Sequence, residues 1–106
     1  MYNVNMELKF KWDAEKNREN IQKHGVSFEE ATTIFDNFPL EVFYDPDHSR
    51  SEDRYIAVGL STLGRILLVV HRENKRGTEI RIISARKTAK KEQKRLFRRY
   101  SYEKGI

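Results

Sequence analysis

Cysteine is absent from the 106 residues. That excludes a disulfide framework, a thiolate metal site and a cysteine nucleophile, and it fits a reducing compartment. Proline (2) and glycine (5) are scarce, and no Gly-rich phosphate loop, serine nucleophile elbow, Pro/Gly linker or internal repeat is found. No stretch nears the roughly 20 consecutive apolar residues that span a bilayer, and M-Y-N-V-N-M-E-L-K-F-K-W lacks the basic start and apolar run of a signal peptide. The expectation is one soluble, cytoplasmic domain over 1–106 with no membrane partner.

Hydrophobic residues make up 38% and aromatics 11% of the chain, enough for a small core and too apolar for a disordered tail. The formal charge is +5, but it is unevenly spread: residues 1–64 hold 7 Lys and Arg against 12 Asp and Glu, and residues 65–106 hold 14 against 4. The C-terminal part therefore carries whatever attraction the protein has for a polyanion.

Met6, Leu8, Phe10 and Trp12 alternate with Glu7, Lys9 and Lys11, the period of a half-buried strand. Asp13 then stands where a helix N-cap belongs, and no breaker follows until Gly25, a natural residue for a helix C-terminus. Ser27-Phe28-Glu29-Glu30 reads as a capping box opening a second helix. L-E-V-F-Y at 40–44 predicts a short edge strand, and D-P-D-H-S-R-S-E-D a polar loop. Three further strands separated by S-T-L-G and E-N-K-R-G-T predict an antiparallel meander. Thr88 is placed to cap a final helix through about Tyr102, with Ala89, Gln93, Leu96, Phe97 and Tyr100 in one stripe and lysines and arginines elsewhere. The predicted class is α+β: a four-stranded antiparallel sheet, the N-terminal strand and two helices packed on it, and a basic C-terminal helix.

Alternation puts Leu67, Val69 and His71 on one face of the sheet with Arg65, and Ile66, Leu68, Val70 and Arg72 on the other. By the same count Arg81, Ile83 and Ala85 share a face, opposite Ile80, Ile82, Ser84 and Arg86. Register decides which of these meet. A two-residue turn at Thr62 and Leu63 sets Arg54 across from His71; a five-residue loop over 74–78 sets His71 across from Arg81, and a one-residue slip instead pairs His71 with Ile80 and Arg65 with Arg86.

Histidine flanked by arginine suits metal-free RNA cleavage, because the substrate brings its own nucleophile, the 2′-OH. A base must take the 2′ proton, cations must stabilise the phosphorus transition state, and an acid must protonate the leaving 5′ oxygen. His71 fits a proton role, Arg54, Arg81 and Arg86 fit phosphate, and Glu52, Glu73 or Tyr55 could supply the second proton group. Arg65, Arg72, Lys87, Lys91, Lys94, Arg95 and Arg98 are the expected RNA contacts, through backbone neutralisation. Asp45, Asp47 and His48 superficially resemble a metal cluster, but they lack EF-hand spacing, and turn chemistry accounts for them. No metal or cofactor is expected.

The blocks F-K-W-D-A-E-K-N at 10–17, K-H-G-V-S-F-E-E-A at 23–31, D-P-D-H-S at 45–49, E-D-R-Y-I-A-V-G-L-S at 52–61 and R-I-I-S-A-R-K at 81–87 resemble, in order, those of BrnT-type toxins. The resemblance runs from residue 10 to about 99 and leaves 1–5 and the tail after Tyr100 outside it, as loose ends. It implies a RelE-like fold and a ribonuclease that halts translation until a BrnA-type antitoxin neutralises it. It also implies that promoter DNA is reached only through that antitoxin, and its matching positions carry over His71, Arg72, Arg81, Arg86, Arg54 and Glu52, with Trp12, Lys16 and Lys23 as structural or secondary RNA contacts. Two toxins and two antitoxins are expected to assemble through the antitoxin. The alternative reading is a non-catalytic nucleic-acid or partner-binding module that uses the same basic surface.

Overall fold

Among the described residues, five strands and three helices follow in the order β1 (Lys9–Lys11), α1 (Ala14–His24), α2 (Phe28–Thr32), β2 (Leu40–Tyr44), β3 (Asp53–Leu60), β4 (Ile66–Glu73), β5 (Glu79–Lys87) and α3 (Lys90–Lys104). This computed structural model describes residues 8–50 and 52–104, and of 99–104 the backbone alone. Met6, Glu7, the N-terminal end 1–5, residues 105–106 and the Tyr100 side chain lie outside the described residues, whereas the backbone of 101–104, expected to be loose, continues α3. Short 3-10 turns at Thr33–Asp36 and Pro46–His48 flank β2.

The sheet order is β1-β5-β4-β3-β2. The predicted antiparallel meander of β2 to β5 is present, but the sheet is mixed and five-stranded. Instead of packing on the sheet, β1 pairs in parallel with the outer edge of β5, Phe10 beside Ile80 and Lys11 beside Arg81. That edge would otherwise present unpaired backbone groups. The Lys9 N–H donates to the Thr78 carbonyl, and a Lys11–Glu79 ion pair ties the same two strands.

The predicted caps of α1 and α2 form. Asp13 accepts from the Lys16 N–H and Gly25 closes α1 with φ 68°, while Ser27 accepts from the Glu30 N–H. The Glu30 carboxylate does not complete the capping box, because its oxygens go to Arg65 and Ser61 of the β3–β4 hairpin. Thr88 does not cap α3. Its hydroxyl donates to the Ile66 carbonyl, and the Glu92 carboxylate accepts from the Ala89 N–H instead.

One face of the sheet carries the core: Ala57, Leu67, Val69, Ile80, Ile82 and Ala85 pack with Val26, Phe28, Ala31, Ile34 and Phe35 of the α1–α2 layer. Gly59 lets that layer close on β3, since a Cβ there would come within 3.0 Å of Leu40 and 3.2 Å of Ile34. The opposite face is divided. The start of α3 covers one half, with buried Leu96 and exposed Arg95 lining a cavity of about 130 Å³ together with Phe43, Ile56, Val58 and Leu68, and Arg95 lies over the Phe43 ring at 4.8 Å. Of the predicted stripe on α3, Leu96 is buried while Phe97 and Ala89 stay exposed. The other half of the face is open.

Both predicted registers are corrected. The first hairpin turns through three residues, Thr62 to Gly64, with Gly64 left-handed at φ 79°, and the Ser61 N–H donates to the Arg65 carbonyl. Relative to a two-residue turn the strands slip by one, so His71 faces Tyr55, and Arg54 faces Arg72. In the second hairpin His71 faces Ile82 rather than Arg81 or Ile80, and Arg86 faces Leu68 rather than Arg65. Here a bulge intervenes: Val70 pairs with Ser84 and His71 with Ile82, which leaves Ile83 as the extra residue on β5. The bulge flips the alternation, so Ile80, Ile82 and Ala85 share the core face, while Arg81 joins Ser84 and Arg86 on the other.

Candidate active site on the open half-sheet

Register builds a row of cations. Lys11 pairs with Arg81, Arg81 with Arg72 and Arg72 with Arg54, so four basic residues from β1, β5, β4 and β3 stand side by side on the face opposite the core. Residues paired in a sheet point the same way and lie about 5 Å apart, close enough that like charges repel unless anions or a ligand lie between them. Three carboxylates meet the row. Glu52 pairs with Arg81, Glu79 with Lys11, and Asp45 lies 3.5 Å from the Arg54 Nε.

Arg72 is held differently, donating to the backbone carbonyls of Glu52 at 2.7 Å and His48 at 3.3 Å. It thereby anchors the loop between β2 and β3 against the row. Each guanidinium has five donors, and these contacts use only some of them: the Arg81 Nε is buried without a hydrogen-bond partner among the described residues. Beside Arg81, a cleft of about 300 Å³ is lined by Lys11, Trp12, Asp13, Lys16, Ile82 and Ile83.

The D-P-D-H-S loop belongs to this site. The Asp45 N–H donates to the Arg54 carbonyl, the Ser49 hydroxyl donates to the Asp45 carbonyl at 2.7 Å and accepts from the Arg54 N–H at 2.8 Å, and Pro46 opens the 3-10 turn. His48 Nδ1 lies 2.9 Å from Asp45 Oδ2, the oxygen that also faces Arg54. Turn chemistry, the expectation from sequence for this block, does not convey its proximity to the arginines. A signal was available, since Asp and His three apart eclipse on a 3-10 turn.

His71 stands on the other side of the sheet. Fully buried, it stacks on Tyr55 at 5.7 Å with Phe35 edge-on at 5.0 Å, and its Nε2 lies 2.9 Å from Glu73 Oε2. The expected adjacency of imidazole and guanidinium is therefore not formed: His71 and the arginine row are separated by the sheet. Burial, with help from the Glu73 and Asp53 charges, pushes the Tyr55 phenol up.

The remaining predicted residues scatter. Arg65 is committed to Glu30 and the Gly25 carbonyl at the far end of the sheet, and the Arg65 hydrogen bonds hold the Glu30 carboxyl below its ordinary range, against the opposing effect of burial. Arg86 grips Glu92 with both terminal nitrogens, at 3.0 and 2.8 Å, and holds that carboxyl low in the same way. Lys87, Lys91, Lys94, Arg95 and Arg98 lie on the end of β5 and along α3. Of the expected set, Arg54, Arg72, Arg81 and Glu52 are brought together. Among the described residues, no group of three or more His, Cys, Asp or Glu is placed to hold a metal ion, and no helix is long and apolar enough to cross a membrane.

A family model described as the ribonuclease toxin, BrnT, of type II toxin–antitoxin systems matches residues 12–92. No curated protein matches the chain. The matched span includes every strand residue of the row except Lys11, together with the D-P-D-H-S loop.

Proposed function

The chain belongs to the BrnT family of ribonuclease toxins of type II toxin–antitoxin systems, and from that premise we propose that it cleaves RNA, without a metal ion, on the open half of its sheet. The observation that carries this reading is the row Lys11, Arg81, Arg72 and Arg54, whose spacing suits successive phosphates or the equatorial oxygens of one. The substrate's 2′-OH attacks the adjacent phosphorus, the row stabilises the charge that develops there, and Glu52, held at the edge of the row by Arg81, is within the site to take the 2′ proton. In this reading His71 supports the site from behind, fixing β4 through Tyr55 and Glu73, and Arg86 braces α3.

A type II system supplies a protein antitoxin as partner. We assign that role to a BrnA-type protein in a two-to-two assembly, docked on the basic α3 rather than on the apolar strand faces, which the helices cover, with promoter DNA contacted by the antitoxin alone and RNA met in the cytoplasm. Lys87, Lys91, Lys94, Arg95 and Arg98 then draw RNA to the free toxin electrostatically.

The test is incubation of the purified protein with total RNA in EDTA, with and without the product of the neighbouring gene. Fragments ending in 2′,3′-cyclic phosphate or 3′-phosphate, and their suppression by the partner, are expected. Intact RNA, both free and on translating ribosomes, would overturn the reading.

A further inference from the structure

We propose that His48, oriented by Asp45, is the general acid of this site, giving a proton to the 5′ oxygen as it leaves. The inference rests on the ribonuclease reading above and adds the proton donor that His71, buried across the sheet, is not placed to supply.

Three observations carry it. The His48 side chain is 60% exposed, next to the open face rather than under it. Its Nδ1 is engaged by Asp45 Oδ2 at 2.9 Å, which fixes the ring and leaves Nε2 as the nitrogen available to substrate. A carboxylate on Nδ1 orients the ring so that Nε2 faces outward. Finally, the loop is fastened at both ends of this contact. The Ser49 hydroxyl joins the Asp45 carbonyl to the Arg54 N–H, and Arg72 donates to the His48 carbonyl, so the residues that hold phosphate also hold the donor. A mere turn would need neither cross-link.

The step balances. The O2′–P bond forms as the P–O5′ bond breaks, the 2′ proton passes to the Glu52 carboxylate, and the proton on His48 Nε2 passes to O5′, giving a 2′,3′-cyclic phosphate and a 5′-OH. Water then returns the proton from Glu52 to His48. Around His48 the charged neighbours are Asp45 and Asp47 on its own turn, Arg54 of β3 and Arg72 of β4, with Glu52 beyond them.

The experiment compares wild type, His48→Ala and Asp45→Asn on a short RNA and on the same RNA with sulfur in place of the bridging 5′ oxygen, a leaving group that needs no proton. Because His48 is exposed, His48→Ala should melt like wild type. On ordinary RNA it should be slower by about 100-fold or more, the usual contribution of a general acid. On the sulfur-substituted RNA it should recover to within about tenfold of wild type. Asp45→Asn should lower kcat with little change in KM. Wild-type rates for His48→Ala, or an equal loss on both substrates, would overturn the assignment while leaving the ribonuclease reading intact; an inactive wild type would overturn both.

Discussion

Asn20 is the buried polar residue whose role is hardest to see in a helix sequence. From α1 it reaches the edge of β5 where β1 has ended, donates to the carbonyls of Ala85 and Val26 at 2.7 and 2.8 Å, and accepts from the Ala85 N–H at 3.1 Å. One side chain thus stands in for a missing strand. Asn20→Leu would strand three buried backbone groups, and a loss of roughly 3 kcal/mol or more is expected in a urea titration. Glu30 makes a comparable anchor at the other end of the sheet. Arg65 holds its folded-state pKa below the unfolded value, so the contact stabilises the protein fully above the unfolded value and progressively less as pH falls through the folded one. Urea midpoints should therefore decline on acidification below about pH 5, and in Glu30→Gln that decline should be shallower from a lower starting point. Parallel curves for the two proteins would remove Glu30 from the account.

At the scale of elements, the two hairpins show how little separates one site from another. A third loop residue and a left-handed Gly64 turn His71 toward Tyr55, and one extra residue at Ile83 brings Arg81 to the face of Arg72. Without that bulge the cation row would be broken at β5. The α3 helix depends on a different device, the two-nitrogen grip of Arg86 on Glu92, whose carboxylate also accepts from the Ala89 N–H. Arg86→Gln and Glu92→Gln should each loosen the helix start, and a double-mutant cycle should give a coupling of about 1 kcal/mol, the upper end for a partly exposed pair with good geometry. Additive effects would mean that the two side chains do not act together.

Over the whole molecule, charge and burial are sorted by face. The α1–α2 layer seals the apolar side, α3 covers half of the other, and the open remainder carries the arginine row. The proposed long-range attraction for RNA rests mainly on the lysines and arginines of α3, and it is tested apart from cleavage by binding a 2′-O-methyl RNA that cannot react. Replacing Lys91, Lys94 and Arg98 with Glu should weaken that binding alike for all RNA sequences. Its dependence on log salt should flatten by roughly 0.7 for every single-strand phosphate that is no longer neutralised. An unchanged slope would place the electrostatic attraction elsewhere.

The α+β class, the caps of α1, the meander, the basic α3 and the family are all legible along the chain, because each is written in local signals: alternation, N-cap chemistry, turn residues and blocks of matching residues. Arg54, Arg72, Arg81 and Glu52 emerge as candidates on the same terms. Which of them meet is a matter of pairing between distant segments. The parallel partnership of β1 and β5 joins residues far apart in the chain, while the three-residue turn, the bulge at Ile83 and the docking of His48 beside Arg54 are choices of backbone geometry that the residue types at those positions do not fix. In a sheet, where side chains alternate with period two, a single residue of slip moves a group to the opposite face. That is why His71, correctly placed on its strand, lies in the core, while His48, a turn residue by its local sequence, borders the arginines.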